Sequence, residues 1–205
     1  MIAPVAEPKG IAENVEEVVP GVWHWRLRDE RIGDEWGCSH AADGVLIDPH
    51  RLADDAFSRL GEVEAIVLTT SSHQRAAWQL RRELRVPVYL PAAAKQVDEE
   101  PDERYQEGDA LPGGLQAVFT PGAGTTQHSL LLTRDAGVLF TPDLFIRAPD
   151  GPLEWVPFGY MHDPEEAKRS VQRLLGLDFD VLCMAHGAPL VGGAKDTLRG
   201  LLQAS

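Results

Sequence analysis

The chain has 205 residues, 43% of them hydrophobic and 25% charged, which is enough for one substantial core and short of two average domains, so a single domain over 1–205 is expected. Its 32 acidic and 19 basic residues give a formal charge of -13, which repels phosphate backbones and anionic lipid. Binding to nucleic acid or to a membrane surface is therefore not expected, and a small or neutral partner is.

Residues Met1 to Gly10 carry two prolines and acidic Glu7 but no basic stretch followed by an apolar one, and no later run has the length of a membrane span. Two cysteines far apart in sequence, Cys38 and Cys183, suit reduced thiols, and a cytoplasmic location follows as the expectation. Gly21–Trp25 and Gly44–Asp48 read as early strands, and a helix is expected from about Leu52 to Leu60. Glu64–Thr70 is an apolar run ending in hydroxyls. It precedes a helical pattern over Gln74–Leu84, in which Ala77, Leu80 and Leu84 share a face. Val86–Leu90 returns as a strand, while acidic, proline-bearing Asp98–Arg104 reads as a solvated loop. In the second half, Leu115–Phe119, Ser129–Thr133 and Gly137–Phe140 form a predicted meander. Glu165–Leu175 is the clearest helix, with Asp163 as its cap and Pro164 at its first position, and it leads to a strand at Val181–Met184.

Six pieces, in order, resemble the metallo-β-lactamase superfamily: Gly44-Val45-Leu46-Ile47-Asp48-Pro49, Ile66-Val67-Leu68-Thr69, Glu107-Gly108-Asp109, Thr120-Pro121-Gly122, Leu139-Phe140-Thr141-Pro142-Asp143 and Ala185-His186-Gly187. The resemblance covers nearly the whole chain. It implies an α+β fold, an αββα sandwich of two mixed sheets flanked by helices, with a metal and substrate site at one sheet edge and a hydrolase ancestry. Lactam, thioester, lactone and phosphoester substrates all occur on this fold, so the fold selects none of them.

The family's first metal motif, His-x-His-x-Asp-His, follows the strand ending in Leu-Thr. In register with it stand Thr70, Ser72, Gln74 and Arg75, so all four ligands are changed. Arg75 matters most, because a guanidinium keeps its charge and has no lone pair to donate. The histidine of the family's Thr-Pro-Gly-His turn is replaced by Ala123, while Asp143 and His186 match the family's bridging aspartate and late histidine. A dinuclear zinc site is not encoded, since even catalytic zinc wants about three protein donors.

Several readings stay open. His73, although out of register, stands at the turn where the site belongs, so His73, Asp143 and His186 form a possible catalytic set around a single divalent metal, Zn, Mn or Fe. Asp143 and His186 fit equally well as a hydrogen-bonded pair without metal, or Asp143 as an ion-pair partner of Arg75. Ser71, Ser72 and Arg75 resemble a ligand-binding helix start for a carboxylate or phosphate, and ordinary N-capping by either serine explains the same pattern. Trp36, Trp155 and Phe158 fall in segments read as irregular; His128 reads as structural, and His50 has no account from sequence. The leading expectation is a small-ligand-binding or interaction domain without a two-zinc centre and without a required cofactor. The alternative is a hydrolase using one metal on His73, Asp143 and His186.

Overall fold

The computed structural model describes residues 9–29 and 35–204, so most of the leading segment examined for a signal lies outside the described residues. The described chain falls into two compact units, the first up to Tyr105 and the second from Gln106. Among the described residues, no helix is long and apolar enough to cross a membrane.

The first unit is built on one mixed sheet. Strands β1 (Glu16–Val19), β2 (Val22–Asp29), β3 (Glu35–Ala42) and β4 (Val45–Ile47) pair antiparallel in sequence order. Strands β5 (Ala65–Val67), β6 (Val88–Pro91) and β7 (Glu103–Tyr105) continue the sheet in parallel. Helix α1 (Asp54–Phe57), extended by a 3-10 turn at Ser58–Leu60, links β4 to β5, and α2 (Ala77–Leu84) links β5 to β6. Both are crossovers of the kind a parallel pair needs. Alternation along β2 and β3 places Trp23, Trp25, Leu27 and Ala41 on the face that meets Leu46, Ile66, Leu68, Trp78 and Leu80 in a core. His24 and His40, directly opposite each other in register, therefore lie on the other face.

The second unit carries a mixed sheet in the order β13-β12-β10-β9-β8, with β11 added against β10. Strands β8 (Leu115–Phe119), β9 (His128–Leu132) and β10 (Val138–Arg147) form the antiparallel meander read from sequence, and β11 (Leu153–Trp155) turns back on β10. Helix α3 (Pro164–Leu174) carries the chain across to β12 (Val181–Gly187), parallel to β10; β13 (Leu190–Val191) and α4 (Ala194–Gln203) follow. The start of α3 is as the sequence foretold: the Asp163 side chain accepts from Glu166 N at 2.9 Å, and Pro164 holds the first position. Its buried residues Ala167, Ser170, Val171 and Leu174 repeat at helical spacing, and the three apolar ones join the core that holds Leu139, Phe145 and Leu182.

Several boundaries differ from the sequence reading. The helix expected from Gln74 starts only at Ala77, because a 3-10 turn at Ser71–His73 precedes it and Arg75 adopts a left-handed φ of 44°. The Asp98–Arg104 segment is a loop only up to β7, whose residues Glu103 and Arg104 pair with β6. Trp36 lies on β3 and Trp155 on β11, so neither sits in an irregular segment.

Candidate functional site

In the first unit the candidate site grows from the end of β4. The chain leaves that strand through Asp48, whose φ of 46° turns the buried carboxylate toward the loop after β5. Asp48 Oδ1 accepts from Thr69 N at 2.8 Å, and Oδ2 accepts from Thr69 Oγ1 at 2.5 Å. The same Oδ2 lies 3.0 Å from His73 Nδ1. An ionised carboxylate can only accept, so the imidazole carries its proton on Nδ1, and Nε2 is the ring's lone-pair nitrogen. This is the arrangement by which a carboxylate prepares a histidine to serve as a ligand or proton acceptor.

The side chains standing at the family's lost ligand positions have structural work. Thr70, not Ser71 or Ser72, caps the 3-10 turn: its hydroxyl faces Ser72 N at 3.5 Å and Ser72 Oγ at 3.2 Å. The Gln74 amide is used at both ends. Its Oε1 accepts from Trp78 Nε1 at 2.8 Å and Asp98 N at 2.7 Å, while Nε2 donates to the carbonyls of Ser71 at 2.8 Å and Gln96 at 3.3 Å. Arg75 turns inward until only 4% of it is exposed, and Nη1 donates to the carbonyls of Cys38 and, at 2.8 Å, Asp48. The guanidinium thus ties the loop after β5 to β3 and to the end of β4.

Sequence reasoning missed the polar network beneath this loop. Ser39 Oγ donates to Asp48 O at 2.8 Å, accepts from His50 N at 2.8 Å and lies 2.9 Å from His50 Nδ1; His50 Nε2 is 3.5 Å from Asp29 Oδ2. The His50 ring lies over Gly37, where a Cβ would come within 2.5 Å of His50 Cε1. His50, without an account from sequence, is therefore an internal brace, and the Gly37–Ser39 pattern is its imprint on β3. Cys38 is fully buried. On the other face His24 Nδ1 lies 3.2 Å from His40 Nε2. Burial, reinforced by Arg26, lowers the His24 pKa to about 4, and burial together with His24 and Arg75 holds His40 well below its usual value.

In the second unit, β10 and β12 run parallel in register from Val138↔Val181 to Thr141↔Met184 and resume at Ile146↔His186. The surplus residues of β10 form a bulge containing Asp143, and bulges re-aim side chains at sheet ends. Asp143 Oδ1 lies 2.9 Å from His186 Nε2, both side chains being about a quarter exposed. Thr120–Gln127 form the loop where the family has its turn histidine. Gly122, at φ 138°, has no room for a Cβ, which would fall 2.4 Å from the Ala167 backbone; the Ala123 carbonyl accepts from His162 N at 3.2 Å. His128 is a structural side chain: it is buried, donates from Nδ1 to Thr126 O at 3.1 Å, and stacks on Phe119 with ring centroids 5.1 Å apart. Burial lowers its pKa, against the opposing pull of the Thr126 carbonyl.

The family's ligand positions Thr70, Ser72, Gln74, Arg75 and Ala123 hold alcohols, an amide, a guanidinium and a methyl, of which Gln74 and Arg75 are committed to the framework, so the residues present do not fit two zinc ions. Donors of metal-ligating type remain: buried His73 in the first unit, half-buried Asp143 and His186 in the second.

Comparison with known proteins agrees with this architecture. The structure resembles the DIM-1 metallo-β-lactamase exposed to ceftazidime, with a TM-score of 0.73 at 15% identity over 97% of this chain and 99% of that one. It also resembles the FIM-1 metallo-β-lactamase of Pseudomonas aeruginosa in its mono-zinc form, with a TM-score of 0.69 at 14% identity over 97% and 98%. A metallo-β-lactamase from Pontibacter korlensis gives 0.69 at 18% identity over 95% and 100%. At such identities the likeness shows the fold, two mixed sheets with flanking helices in the metallo-β-lactamase type of α+β sandwich. Among curated proteins no sequence matches the chain. The family model for the metallo-beta-lactamase superfamily matches residues 32–204, and the chain belongs to that superfamily.

Proposed function

We propose that this protein is a metallo-β-lactamase-fold domain that has given up the two-zinc hydrolase centre and binds a small molecule with the polar groups left at the site. The observation that carries the reading is the inward turn of Arg75, whose guanidinium holds the carbonyls of Cys38 and Asp48 from the position of the family's last histidine. Gln74 supports it, with both ends of its amide engaged. Elemental analysis of protein loaded with excess zinc and then desalted is expected to give well under two equivalents. Two tightly held equivalents together with zinc-dependent hydrolysis would overturn the reading.

A second reading keeps one divalent ion, on His73, Asp143 and His186. It is favoured by the Asp48–His73 contact, which keeps the proton on Nδ1 and leaves Nε2 as a donor, and by the 2.9 Å approach of Asp143 and His186. The mono-zinc FIM-1 structure is a precedent for the fold with a single zinc. A divalent ion would supply Lewis acidity toward an ester or amide carbonyl. In the chain itself, Asp48 orients His73. Near-stoichiometric metal that disappears in His186→Ala, with unchanged far-ultraviolet circular dichroism, establishes this reading; equal metal in wild type and variant rejects it.

A further inference from the structure

Gln127, the residue that closes the Thr120–Gln127 loop ahead of β9, is only 1% exposed. Its Oε1 accepts from Gly124 N at 2.9 Å, while its Nε2 is buried and meets no acceptor among the described residues. Turning the amide over brings no relief, because the NH2 group would then face the Gly124 N–H, donor against donor. The loop is shaped to this side chain: a Cβ on Gly124 would fall 2.9 Å from Gln127 Oε1. A buried donor left unmet lowers stability, and an aliphatic side chain of similar size would carry no such cost. A glutamine here therefore calls for a partner that the fold itself does not supply.

The surroundings narrow what that partner is. Leu131 and Leu130 of β9 pair with Leu139 and Phe140 of β10, and this register, continued past the ladder, brings Gln127 level with Asp143. The start of the loop is tied down, since the carbonyls of Gly122 and Ala123 accept from Asp163 N at 2.8 Å and His162 N at 3.2 Å, whereas Thr125 at its tip is exposed. The local field is negative, because Glu107 and Asp109 both act on the charge of His128, the next residue. An anion is disfavoured in such a field and a neutral oxygen is not. We propose that Gln127 Nε2 donates to the carbonyl oxygen of an uncharged small molecule, a carboxamide or a ketone, which reaches it as the loop tip Gly124–Thr126 moves aside. This inference rests on the small-molecule reading above and names a ligand class for it.

The test follows the side-chain Nε2–H resonances of Gln127 in the isotope-labelled full chain, assigned by their loss in Gln127→Met, during titration with benzamide and, separately, with benzoate. Benzamide is expected to give saturable shifts there, with affinity about tenfold lower for benzoate and about tenfold lower for benzamide in the variant, the order of one hydrogen bond. The wild-type resonances decide the matter even where the variant folds poorly. Benzamide that binds saturably without moving them overturns the assignment to Gln127 and leaves small-molecule binding intact. Absence of saturable benzamide shifts, tighter binding of benzoate, or a long-lived water that keeps its cross-peak to the Gln127 NH2 at saturating benzamide also overturns the inference. None of these results bears on zinc content, the measurement by which the reading of the site itself stands or falls.

Discussion

Acidification from pH 7 to 4 should destabilise the first unit through His24 and His40. His24 drops from an ordinary value of 6.5 to about 4 in the fold, so between these pH values the unfolded chain binds a proton that the folded one refuses. Stability is then fully present above pH 6.5 and is lost as pH falls through the folded value. A difference of about 2.5 pH units at 1.36 kcal/mol each comes to roughly 3 kcal/mol from His24, and His40 adds in the same direction. The assay is urea unfolding at several pH values followed by tryptophan fluorescence, which reports mainly on the first unit because it holds Trp23, Trp25, Trp36 and Trp78. Carboxylates titrate toward the lower end of this range as well, so the comparison is with His24→Leu/His40→Leu, which removes both imidazoles and leaves neither nitrogen without its partner. The double variant should lose about 3 kcal/mol or more of the fall in stability between pH 6.5 and 4. If it falls as steeply as the wild type, the two imidazoles are not held neutral and the electrostatic account of this sheet face is wrong.

Arg75→Met should lower unfolding stability by about 3–6 kcal/mol, since it removes two charge-assisted bonds worth roughly 1.5–3 kcal/mol each from a buried site; a loss below about 1 kcal/mol in urea unfolding contradicts the bracing role. Asp48→Asn replaces the acceptor of His73 Nδ1 with an amide that can donate, and if the protein holds one metal its affinity should drop by about 10–100-fold in competition titrations, against no change if His73 is not a ligand. Gly37→Ala pushes a methyl into the His50 ring and should cost about 1–3 kcal/mol by thermal unfolding in the wild type, a cost that should largely vanish when the same change is made on the His50→Ala background.

What the sequence revealed and what it hid follow from the range of the signals. The meander and α3 were legible because their cues are local: the alternation and turns of β8–β10, and the Asp163-Pro164 start with its helical spacing of buried residues. Strand β3 escaped notice because Gly37, Cys38, Ser39, His40, Ala41 and Ala42 lack the β-branched residues that announce a strand, and its polar members answer to distant partners, Asp48 and His50. The replaced ligands were legible by position, but the use found for them was not. That Gln74 would bridge Trp78 and Asp98, or that Arg75 would turn under the loop, depends on tertiary neighbours that no spacing discloses. The His73–Asp48 contact belongs to the same class, joining residues 25 apart through two unrelated turns.

The Gln74 amide also limits which side chains this position can take. An aspartate restored at this position would be too short to span from Trp78 and Asp98 to the Ser71 and Gln96 carbonyls and would strand buried donors, at about 1–3 kcal/mol for each group left unmet. Restoring the histidine at Arg75 would take a second such penalty before any metal could repay either. Either substitution made alone would thus lower stability, and a two-metal centre could be built on this framework only if the partners of both side chains changed with them.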